Sequence, residues 1–128
     1  MIGSTHKMQE HPDQARVHAA LQRVWRQVEP EIQRRLTTLE EAGKALQAGP
    51  MDEGCRHEAI DAAHKLAGSL GMFGFAAASA WASEIESLLE IPGAISGEQF
   101  NGFMERLRVE VNRDRNEQAG GSDEGSDE

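Results

Sequence analysis

Apolar residues repeat at the spacing of an α-helix through most of this chain, and this regularity is the feature that most restricts its fold. Between positions 17 and 46 they recur in steps of three and four with one gap of seven, which places them on the side of a helix that faces a core. They are Val17, Leu21, Val24, Val28, Ile32, Leu36, Leu39 and Leu46. No segment alternates apolar and polar residues over a useful length, so strands are not expected. The chain is therefore predicted to be all-α.

Proline and glycine mark where the helices bend and stop. Pro30 lies inside the first apolar series, where a proline removes a backbone hydrogen bond and clashes with the preceding turn. Because the series continues in phase beyond it, we expect one long helix that is kinked near Pro30. The Gly49-Pro50 pair ends this helix. Asp52 can then cap a second helix, which runs to about Gly71.

Two further helices follow after short connections. Residues 73–75 form a turn, and residues 91–93 stop the third helix. Ser96 and Gln99 have the spacing of a capping box at the start of the fourth helix. The apolar stripes of these two helices are Ala78, Trp81, Ala82, Ile85, Leu88 and Leu89, and Phe100, Phe103, Met104, Leu107 and Val111. Four amphipathic helices with short connections predict an antiparallel up-down four-helix bundle.

Composition separates the bundle from two terminal segments. Residues 117–128 contain five acidic residues, no basic residue and no large apolar side chain, so they cannot bury enough surface to offset their chain entropy. We predict a disordered acidic tail over residues 117–128, a flexible segment over residues 1–12 and the helical bundle over residues 13–116.

Charge and hydropathy exclude several classes of protein. The net charge of -9 repels a phosphate backbone, so nucleic acid is not an expected partner. No apolar run reaches the ~20 residues of a membrane-spanning helix. The first ten residues also lack the charged segment followed by an apolar segment that is typical of a secretory signal. The single cysteine, Cys55, cannot form an internal disulfide. These features predict a cytoplasmic protein that does not bind membranes.

One histidine of the second helix lies at the border of its apolar face. At about 100° per residue, the apolar positions of residues 59–70 fall on one side of the helix, and His64 lies just beyond their edge. The residues that share its face are His57, Asp61, Gly68 and Gly71. Gly68 costs the helix about 1 kcal/mol relative to alanine and points away from the core. We therefore interpret it as clearance beside the histidine for an incoming surface.

The run from His64 to Gly71, which reads HKLAGSLG, resembles the signature of histidine phosphotransfer (HPt) domains of two-component phosphorelays. The family pattern has a phosphoaccepting histidine, a leucine two residues later and glycines four and seven residues later. Leu66, Gly68 and Gly71 match this pattern. The small residue that usually precedes the histidine is Ala63. The number and order of the helices also fit the four-helix bundle of this family.

Charged residues near His64 depart from the family pattern in one respect. Many members have a lysine three residues after the histidine, where this chain has Ala67 and places its lysine at Lys65 instead. Since Lys65 lies about 100° around the helix from His64, we expect it to contribute to docking more than to phosphate binding. Asp61 could orient the imidazole through Nδ1, but surface carboxylates are usually solvated, and we expect solvation here.

The resemblance implies a phosphorelay signalling protein rather than an enzyme. His64 would accept a phosphoryl group from a receiver-domain aspartate, or from a kinase, and pass it to another receiver. Such a carrier has no nucleotide site, metal site or cofactor of its own, and the Mg²⁺ ion is expected from the partner receiver domain. The expected partners are response-regulator receiver domains and a sensor histidine kinase, and the chain is expected to be a monomer. The positions near the phosphate or the docking surface would be His57, Asp61, Lys65, Gly68 and Gly71.

Two other functions fit parts of the sequence. The chain could be a non-phosphorylated helical bundle that binds receiver domains without phosphotransfer. The segment from His57 to Asp61 also resembles the His-Glu-x-x-His motif of zinc proteases, with aspartate in the last place. We favour the phosphoryl carrier because the histidine of the motif is intact and because no third zinc ligand lies nearby in the sequence.

Overall fold

Four helices make up almost all of the part of the chain that the structure describes, and this part contains no strand. The computed structural model describes the backbone of residues 2–91 and 95–127 and the side chains of residues 14–91 and 95–117. The helices are α1 (Ile2–Ala48), α2 (Glu53–Met72), α3 (Ala76–Glu90) and α4 (Gly97–Asp127). Over the described residues, none of them has a stretch long and apolar enough to span a membrane. The predicted all-α, four-helix fold is confirmed.

Helix α1 continues through Pro30 without a break, as the in-phase apolar series predicted. The helix bounds do not test the kink near Pro30, which stays a prediction. The chain divides into two compact units, Met1–Gln33 and Arg34–Glu128, and α1 contributes to both of them.

In the first unit, burial along the apolar series of α1 is uneven. Trp25 and Ile32 are buried, whereas Val17, Leu21 and Val24 are exposed. The expectation that the whole series faces a core is therefore wrong at these three positions. Helical spacing places side chains on one face, but burial also requires another element to cover that face.

The second unit has a core to which all of its helices contribute. Helix α2 packs against α3, and α3 packs against α4. The end of α1 approaches α4 closely at Gly43, where a Cβ atom would lie 2.4 Å from Asn101 Oδ1 and 3.2 Å from the Phe100 ring. Each large apolar side chain that is fully buried contributes about 1.5–3 kcal/mol. The buried apolar residues of this unit are Leu36, Leu39, Ala42, Ala59, Ala62, Ala63, Leu66, Leu70, Phe75, Ala78, Ala82, Ile85, Leu89, Phe100, Met104, Leu107 and Val111.

Short-range interactions define the ends of the helices. Asp52 Oδ1 accepts a hydrogen bond from the Cys55 amide at 2.7 Å and caps α2. Ser96 Oγ accepts one from the Gln99 amide at 3.2 Å at the start of α4. Between α2 and α3, Gly74 has a φ of 80°, in the left-handed region that favours glycine. The Asp52 cap and the predicted turn are confirmed. Of the capping box predicted at Ser96 and Gln99, the hydrogen bond to the Ser96 hydroxyl is present.

The predictions for the two terminal segments concern residues at the ends of α1 and α4. Helix α1 begins at Ile2 and α4 ends at Asp127, so helical backbone extends into both segments. The side chains of residues 1–13 and 118–128 lie outside the described residues. The flexibility predicted for residues 1–12 and the disorder predicted for residues 117–128 therefore stay predictions.

Candidate functional site

Buried neighbours fix the backbone of α2 while the His64 ring stands in solvent. Ala63 and Leu66 are fully buried, and the side chain of His64 is 72% exposed. Ile60 and Ala67, which the spacing placed within the apolar face, are only half-buried. The buried arc of α2 therefore lies farther from His64 than the helical spacing predicted, and the imidazole is accessible to a second protein.

Glu86 of α3 orients the imidazole. The Nδ1 atom of His64 lies 3.1 Å from Glu86 Oε2, and the Glu86 side chain is only 22% exposed. Its neighbours on α3, Ile85 and Leu89, are fully buried in the core. Because the core fixes the backbone beneath Glu86, the carboxylate is held at the His64 ring.

The hydrogen bond to Glu86 selects one tautomer of the ring. An ionised carboxylate only accepts hydrogen bonds, so Nδ1 carries the hydrogen and donates it to Glu86 Oε2. In this tautomer the lone pair is on Nε2. Because the His64 side chain is largely exposed, this arrangement presents a nucleophilic nitrogen at the protein surface.

Asp61 is paired with Lys65 and forms no hydrogen bond or ion pair with His64. Lys65 Nζ lies 3.1 Å from Asp61 Oδ2, and both side chains are exposed. Asp61 is therefore not the residue that orients the ring, in agreement with the expectation of a solvent-facing carboxylate. Exposed ion pairs of this kind contribute roughly 0–1 kcal/mol, so Lys65 can leave Asp61 at little cost.

The two glycines after the histidine have different surroundings. A Cβ atom on Gly68 would meet nothing within 4 Å, which agrees with the predicted clearance beside His64. A Cβ atom on Gly71 would lie 3.4 Å from Ser79 Oγ, so this glycine faces α3. The same serine donates a hydrogen bond to the Ala67 carbonyl at 2.8 Å and ties the two helices together below the histidine.

The first turn of α2 is also attached to α3. Arg56 donates a hydrogen bond to the Leu89 carbonyl at 2.6 Å, near the end of α3. The next residue, His57, is exposed, and its Nε2 atom lies 3.8 Å from Glu53 Oε1. His57 is about 10 Å from His64 along the helix axis, so the two rings cannot share a ligand.

The remaining candidate groups near this site are the Cys55 thiol and the acidic and histidine side chains that could bind a metal ion. Burial, with Asp52 and Glu58 nearby, raises the pKa of the Cys55 thiol, so the thiol is less reactive than an ordinary cysteine. Within the described residues, no three His, Cys, Asp or Glu side chains come together as a metal site.

Glu86 is the residue of the site that the sequence pattern did not reveal. The sequence offers Asp61, the carboxylate one turn before the histidine, as a candidate partner of the ring, although solvation was expected for it. Glu86 belongs to another helix, 22 residues away, and periodicity gives no distance between helices. Its position directly after Ile85 in the apolar stripe of α3 is the signal that could have indicated it.

The segment that contains the site matches a known protein family. The family model described as Hpt domain matches residues 23–117, more than half of the chain, and this match includes all of α2 and α3. Neither the curated proteins nor the solved structures gave a match.

Proposed function

The chain belongs to the Hpt domain family, and from this premise we propose that His64 accepts a phosphoryl group from a receiver-domain aspartate and passes it to a second receiver. The family consists of phosphocarrier modules of phosphorelays. The observation that carries the proposal is the exposed His64 ring with Nδ1 hydrogen-bonded to Glu86 and with clear space at Gly68. We place the carrier in the cytoplasm, with a sensor kinase as an additional donor.

The proposed step is a direct transfer between two proteins. The Nε2 lone pair of His64 attacks the phosphorus atom of the aspartyl phosphate. The N–P bond forms as the P–O bond to the aspartate breaks, and the electron pair of that bond leaves with the carboxylate oxygen. Nδ1 keeps its hydrogen, so the ring gains the positive charge that balances the negative charge regained by the aspartate. Transfer to the second receiver is the reverse of this step.

Glu86 contributes by orientation and by charge. It fixes the ring with Nε2 outward, and phosphoryl transfer depends mainly on in-line positioning and on neutralisation of charge. Its carboxylate also lies beside the nitrogen that shares the ring's positive charge after transfer. Glu86 is therefore a positioning residue, since it acts on the phosphoryl group through His64.

The receiver domain, rather than this chain, would supply most of the positive charge that neutralises the phosphoryl group. Position +3 from the histidine is Ala67, which carries no charge, and Lys65 is held by Asp61. We propose that the receiver brings the Mg²⁺ ion and that Lys65 serves in docking. His57 and Gly71 would lie at the margins of the docked surface, on either side of His64 and Gly68.

Transfer from a phosphorylated receiver tests the proposal directly. Receiver domains from the same genome are phosphorylated with labelled acetyl phosphate and mixed with wild-type protein, with His64→Gln and with His57→Gln. The second variant is a matched control, because His57 is another exposed histidine of α2. We expect acid-labile, base-stable label on the wild type and on His57→Gln, and none on His64→Gln.

The same experiment separates the carrier from the interaction module. Label on His64→Gln at the wild-type level would contradict the role of His64. A wild-type chain that binds a receiver but acquires no label would instead support a bundle that docks without phosphotransfer.

A further inference from the structure

The exposed side of α2 around His64 forms a continuous surface, which we call the docking face. Its residues lie within about 100° of one another around the helix axis. They are His57, Asp61, His64, Lys65, Gly68 and Met72. All of them are exposed. A protein that docks on this face therefore reaches the His64 ring.

The charged groups of the docking face are paired within the chain. Lys65 Nζ is 3.1 Å from Asp61 Oδ2. His57 is paired with Glu53, and His64 with Glu86. Each pair places opposite charges, or a carboxylate and an imidazole, side by side. Lys65, the ammonium of the face, is balanced by Asp61, whereas an uncharged imidazole leaves the negative charge of its carboxylate in place. The face therefore has no unpaired positive charge with which to attract the phosphorylated aspartate of a receiver, and charge attraction is a weak source of affinity at this surface.

Met72 is the large apolar residue of the docking face. It is 74% exposed, more than any other exposed large apolar side chain of the described residues. It lies two turns beyond His64, about 12 Å along the helix axis. Gly68 lies between the two residues with open space at its Cβ position, so a partner can contact the imidazole and Met72 at the same time.

We infer that Met72 is the apolar anchor by which this chain docks a receiver domain, an inference that rests on the proposed function. The receiver that fits this face has an apolar surface about 12 Å from its phosphorylated aspartate, the separation of His64 and Met72 along α2. Methionine suits such a contact because its unbranched side chain adapts to irregular apolar surfaces. A few well-packed side chains account for most of the affinity of a protein interface, whereas solvent-exposed charge pairs at its rim account for little.

Two phosphoryl donors distinguish the role of Met72 in docking from the reactivity of His64 itself. Phosphoramidate, a small molecule, labels an accessible histidine without protein docking, whereas a phosphorylated receiver must dock. The receiver used is one that labels the wild-type chain. The variants are Met72→Ala, Met72→Gln, which has a similar length but is polar, and Met72→Leu. Val109→Ala is the matched control, because Val109 is an exposed apolar residue of α4, on another helix.

With the receiver, we expect Met72→Ala and Met72→Gln to transfer about tenfold more slowly, which corresponds to about 1.4 kcal/mol. Met72→Leu and Val109→Ala should stay within about twofold of the wild type, because Met72→Leu keeps the apolar contact and Val109 lies outside the docking face. With phosphoramidate, all variants should be labelled at the wild-type rate.

Three results would contradict either the Met72 anchor or the proposed function. Wild-type transfer rates from the receiver to both Met72→Ala and Met72→Gln would overturn the anchor while leaving the proposed function intact. Slower labelling of these variants by phosphoramidate would also overturn it, because Met72 would then act on the histidine itself. If neither phosphoramidate nor any receiver of the same genome labels the wild-type chain, the proposed function is contradicted instead.

Discussion

Removal of the Glu86 carboxylate is the perturbation that most directly tests how the site works. In Glu86→Ala, the Nδ1 hydrogen of His64 loses the acceptor that lies 3.1 Å away. The ring is then free to rotate and to exchange between its two neutral tautomers, because its side chain is largely exposed. One of these tautomers has its hydrogen on Nε2 and cannot attack through that atom.

The size of the effect follows from the exposure of the two partners. Hydrogen bonds to charged groups contribute about 1.5–3 kcal/mol, and exposed ion pairs about 0.2–1 kcal/mol. The pair lies between these limits, since Glu86 is 22% exposed and His64 is 72% exposed. We expect a loss of about 1 kcal/mol, which is about a fivefold decrease in the rate of phosphorylation of His64.

Two measurements check this prediction, and Glu84→Ala serves as the control because Glu84 is an exposed glutamate on the same helix. The first is the rate of labelling by phosphoramidate, which needs no docking. The second is the nitrogen NMR spectrum of the His64 ring, which distinguishes the two tautomers. We expect mainly the Nδ1–H form in the wild type and in Glu84→Ala, and a mixture in Glu86→Ala. An unchanged tautomer and an unchanged rate in Glu86→Ala would refute the reasoning.

Three further predictions concern stability, docking and thiol reactivity. Arg56→Met removes the hydrogen bond to the Leu89 carbonyl, and urea unfolding should show a loss of about 1–2 kcal/mol; an unchanged midpoint would contradict the role of this bond. Gly68→Ala should raise the free energy of unfolding by about 0.5–1 kcal/mol, because the added Cβ meets no other atom. Gly68→Trp should remain folded but lose transfer from a receiver, and normal transfer would show that no partner occupies this space. Because the Cys55 pKa is raised, less thiolate exists at neutral pH, and alkylation by iodoacetamide should be slower than for free cysteine until the pH is more alkaline.

The four helices and their ends at the short connections were predictable because they depend on interactions between residues close in sequence. The outer ends of α1 and α4, at Ile2 and Asp127, lie beyond the predicted bundle of residues 13–116. The cap at Asp52 joins residues three apart, and the turn at Gly74 depends on the φ of a single residue. The same holds for the histidine motif. His64, Gly68 and the buried Leu66 lie on one helix, where a rotation of about 100° per residue sets their relative directions.

Contacts between helices were not predictable in the same way. Val17 continues the apolar spacing of α1 and is nevertheless exposed, because spacing does not show whether anything covers a face. Gly68 and Gly71 look alike in the motif, yet only the packing of α3 against α2 brings Ser79 to one of them.

The amino-acid sequence by itself determined four helices, the short connections between them and a histidine at the edge of an apolar face. Backbone hydrogen bonds and side-chain rotation along one helix act over a few residues, and the order of residues records them directly. The tertiary structure alone decided that Glu86, and not Asp61, orients His64. That choice depends on how the side chains of two helices pack against each other, and residues 22 positions apart have no fixed distance until the core between them forms.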